Sequence, residues 1–199
     1  ISYKTNCKKP VMLIYNEKLA VCPLTTHIPI KNVSKHIKKD RIIDTVKKIN
    51  KFYETRLGKM PRVALLGLNP HCESTEKISE EDKEIIPAIR HLTKKKIRVF
   101  GPFSADTFFL NKNIKKFDVV IGMYHDQVLA PIKTLFKFNA INVTIGLPFV
   151  KVTPDHGPNE DMIGKNKSDP SSIFCAMKFL RKIKWKFLKK KSLGQNFLI

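Results

Sequence analysis

Short runs of buried-type residues alternate with amphipathic segments along most of the chain, and this alternation constrains the fold more than any other feature. Val11-Met12-Leu13-Ile14-Tyr15 and Leu19-Ala20-Val21-Cys22, joined by Asn16-Glu17-Lys18, have the length and composition of short strands. The runs 63–68, 97–100, 117–122 and 140–146 are further strand candidates. Between them lie helical patterns. Ile42, Val46, Ile49 and Tyr53 recur at three or four positions and predict a helix over about 40–57 with one apolar face. Ser79-Glu80-Glu81-Asp82 resembles a capping box and predicts a helix reaching about Lys95, with a kink or a later true start at Pro87. Shorter or later helices are expected over 104–110, 126–136 and 171–189, the last introduced by Asp169-Pro170. Strands alternating with helices predict an α/β fold with a substantially parallel sheet.

Composition narrows the class. Hydrophobic residues make up 42% of the chain, enough to build a core and too many for a disordered chain. No window holds 18 uninterrupted apolar residues, so no membrane-spanning helix is expected. The start, Ile1-Ser2-Tyr3-Lys4, has neither an initiating Met nor a secretory pattern and reads as the middle of a longer protein. Cys7, Cys22, Cys72 and Cys175 show no CxxC spacing, which predicts free thiols in a cytoplasmic protein. The 38 Lys and Arg against 17 Asp and Glu give a net charge of +21. The lysines are dispersed rather than gathered in one patch, which argues against nucleic acid as the main partner and favours small anionic substrates.

The chemistry sits in the loops. In α/β sheets ligands gather beyond the carboxyl ends of the strands. Thr25-Thr26-His27, Asn69-Pro70-His71 and Met123-Tyr124-His125-Asp126-Gln127 all fall at such positions. Three neutral imidazoles could converge on one divalent cation such as Zn²⁺ and leave a position open for substrate. Three ordinary hydrogen-bonded loop histidines are the alternative, and the residues alone leave the two readings level. Asp106, near a helix start, fits either helix stabilisation or a role in metal binding or proton transfer. Lys133 lies seven residues beyond Asp126 and can share its helix face, as a solvated lysine or as a functional one. Asn142 interrupts an apolar strand and needs partners, which a ligand could supply. Asp155-His156-Gly157-Pro158 opens a long polar loop running to Ser171. There is no GxGxxG after a strand, so a standard Rossmann dinucleotide site is not expected.

Five motifs occur in order: Leu24-Thr25-Thr26-His27-Ile28-Pro29, Gly67-Leu68-Asn69-Pro70-His71, Gly101-Pro102-Phe103-Ser104-Ala105-Asp106-Thr107, Met123-Tyr124-His125-Asp126-Gln127 and Asn142-Val143-Thr144-Ile145-Gly146-Leu147-Pro148-Phe149. Together, from about Pro10 to Lys182, they resemble the 4-hydroxythreonine-4-phosphate dehydrogenase family of pyridoxal phosphate biosynthesis. The resemblance implies an isocitrate/isopropylmalate dehydrogenase-like fold, with two lobes around a largely parallel sheet. It also implies a homodimer with the active site at the subunit interface. It assigns His27, His71 and His125 to a divalent metal (Zn, Mg or Co), and Lys133, Asn142 and Lys151 to substrate. Asp106 matches an acidic position beside the metal and, with Lys133, is the candidate for catalysis. Asp155, His156 and Gly157 resemble an adenosine-binding loop for NAD or NADP. The implied reaction oxidises the secondary alcohol of 4-phosphohydroxy-L-threonine and decarboxylates the product to 3-amino-2-oxopropyl phosphate. Lys151 stands where the family usually has arginine, keeping the charge but losing the bidentate fork.

The resemblance also implies an N-terminal segment, with a substrate-contacting His-Thr pair, that would precede Ile1. The chain is therefore expected to be the C-terminal two-thirds of such an enzyme over residues 1–185, followed by a basic tail over 186–199. The final Lys191-Ser192-Leu193-Gly194-Gln195-Asn196-Phe197-Leu198-Ile199 resembles the opening of ribosomal RNA adenine dimethyltransferases, as a gene junction or fusion remnant would. A basic extension of the last helix is the alternative. Other functional readings are a related hydroxy-acid dehydrogenase paralogue, an inactive remnant that keeps the fold, or a basic RNA-associated protein with strongly salt-dependent binding.

Overall fold

The computed structural model describes residues 9–73, 78–110, 114–137, 139–155 and 163–183. Strands β2 (Ala20–Pro23), β3 (Val63–Leu66) and β5 (Val119–Gly122) are buried at every position. Continuous apolar runs of this kind suit strands covered on both faces. Together with β4 (Val99–Phe103) they form the parallel core of a seven-stranded sheet, in the order β4-β3-β5-β2-β1-β6-β7. The other three strands, β1 (Val11–Tyr15), β6 (Ile141–Ile145) and β7 (Lys151–Pro154), extend the sheet with antiparallel pairs. The expected α/β class is thus observed, with a parallel core carrying an antiparallel extension.

That extension begins with a hairpin. Asn16 Oδ1 accepts the Lys18 N–H at 2.9 Å, closing an Asx turn, and Ile14 falls opposite Val21. Asn16 Nδ2 also donates to the Asn139 carbonyl, which ties the turn to the approach of β6. Strand β7 lies outside the sequence expectations. Its four residues are all half-buried and include only one large apolar side chain, so pairing with β6 defines it rather than a hydrophobic pattern.

Short helix α1 (Val33–His36) is followed by α2 (Lys39–Phe52), which continues through a wider turn at Tyr53–Leu57 and matches the expected span. A wide turn at Glu81–Ile85 leads into α3 (Ile86–Lys94), which places Pro87 in the first turn, where its missing N–H costs nothing. Ser79 and Asp82 form the expected capping box: Ser79 Oγ accepts from the Asp82 N–H at 3.3 Å, and Asp82 Oδ2 accepts from the Ser79 N–H at 3.2 Å. Helix α4 (Ala105–Phe108) is a single turn, α5 runs His125–Phe136, and α6 runs Ser171–Lys182. The tail at 186–199 lies outside the described residues.

Two apolar layers sandwich the sheet. On one face Ile42, Val46, Ile49 and Phe52 of α2, Ala88 and Leu92 of α3, and Ala176 and Phe179 of α6 pack against Leu13, Leu65, Ile121 and Val143. On the other, Val128, Leu129 and Ile132 of α5 join Phe108 and Phe117 against Ile14, Val21, Leu66 and Val120. Cys22 is fully buried, and burial pushes its thiol up to about 12. It is an inert core residue. Cys22, Cys72 and Cys175 are free, as expected; Cys7 lies outside the described residues. Among the described residues no helix is long and apolar enough to cross a membrane.

Candidate active site at the carboxyl edge of the sheet

Topology brings most of the candidate residues to one edge. Strands β2 to β5 run parallel, so the loops carrying His27, His71, Asp106 and His125 leave the sheet on the same side. The antiparallel strands then bring the end of β6 and the start of β7 to that side, with Thr144 opposite Lys151.

Hydrogen bonds tie these loops to one another. The Gly67 N–H donates to the Phe103 carbonyl at 2.9 Å, joining the His71 loop to the Asp106 loop. Gln127 bridges two histidine loops: its Nε2 donates to the Gly67 carbonyl at 2.8 Å, and its Oε1 accepts from the Met123 N–H at 2.7 Å. Thr25 Oγ1 donates to the Met123 carbonyl at 2.7 Å and joins the His27 and His125 loops. The packing is close enough to exclude a side chain at Gly122, where a Cβ would lie 2.5 Å from Val128 Cγ1 and 3.0 Å from Gln127 Oε1.

Two of the histidines meet each other, and the third meets a carboxylate. The His27 and His125 rings are 5.8 Å apart between centroids. His125 stands at the first position of α5, and its Nδ1 donates to Asp126 Oδ1 at 2.7 Å, which leaves Nε2 available. His71 Nδ1 lies 3.7 Å from Asp106 Oδ2, in the first turn of α4. His71 and Cys72 hold left-handed backbone conformations, with φ of 55° and 61°. For residues other than glycine each costs on the order of 1–3 kcal/mol and persists only where the surroundings impose it. Among the described residues, no group of three or more His, Cys, Asp or Glu side chains is gathered to hold a metal ion. Among the described residues the edge thus presents two pairs, His27 with His125 and His71 with Asp106.

A cavity of about 530 Å³ opens beside His27, with Thr26, Arg41, Asn142 and Thr144 among its walls. Asn142 Oδ1 is buried and has no hydrogen-bond partner, so it is an acceptor that a ligand's donor could satisfy. Arg41, half-buried on α2, adds positive charge to the same cavity.

Lys133 and Asp155 meet each other. Lys133 Nζ lies 2.7 Å from Asp155 Oδ2 and also donates to the Asp155 carbonyl. Asp155 is further anchored by its N–H, which donates to Ser172 Oγ at 3.1 Å. The residues expected for substrate and for cofactor thus form one ion pair. His156 and Gly157 lie outside the described residues. No site role was expected for Thr25, Arg41, Glu81, Asp126 or Gln127, although Thr25, Asp126 and Gln127 lie inside the histidine motifs and Glu81 inside the capping-box sequence. Asp126 had the clearest local signal, a carboxylate next to a histidine at a helix start.

A family model described as pyridoxal phosphate biosynthetic protein PdxA matches residues 1–180. A 4-hydroxythreonine-4-phosphate dehydrogenase from Sulfurihydrogenibium sp. (strain YO3AOP1) is 42% identical over 175 residues, covering 87% of this chain and 54% of that protein. The crystal structure of a 4-hydroxythreonine-4-phosphate dehydrogenase from Klebsiella pneumoniae superposes with a TM-score of 0.76 at 32% identity, covering 89% of this chain and 56% of that one. A terephthalate 1,2-cis-dihydrodiol dehydrogenase from Burkholderia xenovorans LB400 shares the fold, with a TM-score of 0.68 at 23% identity over 87% of this chain and 55% of that one. This chain spans about half the length of the curated relatives it matches. Because the family match runs through every histidine loop at the carboxyl edge, the chain belongs to the pyridoxal phosphate biosynthetic protein PdxA family, with its isocitrate/isopropylmalate dehydrogenase-like fold.

Proposed function

We propose that this chain carries the metal- and substrate-binding part of a 4-hydroxythreonine-4-phosphate dehydrogenase. The reaction is oxidation of the secondary alcohol of 4-phosphohydroxy-L-threonine by NAD or NADP, then loss of carbon dioxide to give 3-amino-2-oxopropyl phosphate for pyridoxal 5'-phosphate synthesis. The observation that carries this reading is the set of three histidine loops cross-linked by Thr25 and Gln127 on one sheet edge.

The donor set fits a divalent cation chemically. His27 and His125 are near enough for both rings to reach a common ion, given metal–imidazole bonds of about 2.0–2.1 Å. Asp126 occupies the outer-shell position that orients a ligating histidine. When bound, such a cation would polarise the substrate hydroxyl and favour its ionised form. His71 and Asp106 form the other pair. Two such pairs among the described residues suit a centre shared with a second copy, as in a homodimer with its active site at the interface.

Asn142 and Arg41 support a substrate carrying both a donor and an anionic group. Lys151, at the start of β7 opposite Thr144, adds a second cation at this edge. Lys133 gives two of its three N–H donors to Asp155, so a substrate taking the third would be coupled to the start of the loop assigned to the nucleotide.

The test follows NADH formation from 4-phosphohydroxy-L-threonine, NAD and a divalent cation. The chain is assayed alone and fused to the remaining N-terminal part of a relative. The fused form is expected to be active and sensitive to chelator. His125→Ala is expected to lower its rate more than about 100-fold, since outer-shell changes alone cost 10–100-fold. No turnover by folded, dimeric fused protein would refute the substrate assignment.

A further inference from the structure

The loop that presents His71 is held from below by a carboxylate outside the five family motifs. Glu81 begins the wide turn that leads into α3 and is only 1% exposed. Its Oε1 accepts two consecutive backbone N–H groups, Leu68 at 2.7 Å and Asn69 at 2.9 Å. Its Oε2 accepts from Asn69 Nδ2 at 2.7 Å. Asn69 Nδ2 also donates to Glu80 Oε2 at 3.0 Å, so this side chain is fixed by two acidic neighbours. Two residues further on come His71 and Cys72 in their left-handed conformations.

The space around this clamp is committed to it. A Cβ at Gly67 would lie 3.0 Å from Glu81 Oε1 and 2.7 Å from Cys72 Sγ. The absence of a side chain at Gly67 lets the carboxylate and the returning loop occupy one small volume. An ionised carboxylate suits the job because all three donors need acceptors. A glutamine could turn its oxygen to the two N–H groups only by setting its own NH₂ against Asn69 Nδ2.

We propose that Glu81 is a positioning residue for the metal centre: by clamping Leu68 and Asn69 it fixes the strained turn that orients His71 towards the ion. The inference rests on the assignment of His71 as a metal ligand. Glu81 does not touch the ion. It acts through the backbone, so its removal changes ligand orientation in a protein that is still folded.

The experiment is a Zn²⁺ titration of the chain as it stands, in competition with a chromophoric chelator. It compares the unaltered chain with His71→Ala, Glu81→Gln and Asn69→Ala, each checked by circular dichroism and thermal melting. His71→Ala is expected to weaken binding, and Glu81→Gln to weaken it about 10–100-fold, the range for outer-shell partners of metal ligands. Asn69→Ala, which removes one of the three bonds and keeps the carboxylate, is expected to weaken it less. Should Glu81→Gln fail to fold, Asn69→Ala decides: affinity equal to that of the unaltered chain overturns the proposal. Unchanged affinity in folded Glu81→Gln, with His71→Ala weakened, overturns the proposal and leaves the metal assignment standing. No Zn²⁺ binding by the unaltered chain removes the metal assignment, and this proposal with it.

Discussion

Glu81 is a charge kept almost free of water, and its protonation ties stability to pH. Burial raises the carboxyl's affinity for a proton. The hydrogen bonds from the Asn69 backbone and side-chain amides and from the Leu68 N–H outweigh burial and hold the carboxyl below its ordinary range. The stability this contributes is complete above the unfolded value of about 4.3 and is lost as pH falls through the lower folded value. Urea unfolding between about pH 3 and 6 should show the unaltered chain losing its advantage over Glu81→Gln as the solution is acidified. A constant gap across that range would refute the assignment. The histidines were legible in the sequence because each follows an apolar run, and strand ends are where ligands gather. Thr25 and Gln127 were not, since their partners Met123 and Gly67 lie 98 and 60 residues away. Lys133 illustrates the limit of helical spacing: it marked a usable face but gave no sign of the Asp155 partner across the fold.

Helix α5 links the core to the chemistry. Val128, Leu129 and Ile132 bury one stripe against β2 and β5, and the same helix begins at His125. Ile132 is fully buried, so Ile132→Ala should cost about 2–5 kcal/mol by chemical denaturation. A cost well under 1 kcal/mol would mean that the helix is not packed as described. Apolar periodicity predicted α2 well, because it buries a regular stripe. It could not predict β7, whose half-buried residues show neither alternation nor a continuous apolar run. Pro87 marked the later start of α3, but the capping box gave no sign of the wide turn at Glu81–Ile85, because it reports a start and not the width of the turns that follow.

Across the whole molecule, strand–helix alternation was enough to predict the class and the parallel core. It left strand order open, because pairing of β1 with β6 depends on contacts about 130 residues apart in the chain. The net charge of +21 acts at this scale too. Like charges repel more strongly in the compact state, and the screening length shortens from about 30 Å at 0.01 M salt to about 8 Å at 0.15 M. Raising salt over that range should increase Tm by at least about 2–4 °C, the shift that 1 kcal/mol produces in a chain of this size. A flat or falling Tm would show that the positive charges are already compensated.

The two outer strands carry a last consequence. Among the described residues both margins of the sheet contain an imino acid, Pro102 on β4 and Pro154 on β7, and neither offers an N–H to an incoming chain. With Lys151 charged on one margin and both strands only four or five residues long, each margin is a poor template for ribbon-like growth by strand addition. The described sheet is therefore a poor seed for fibrils, even in crowded solution.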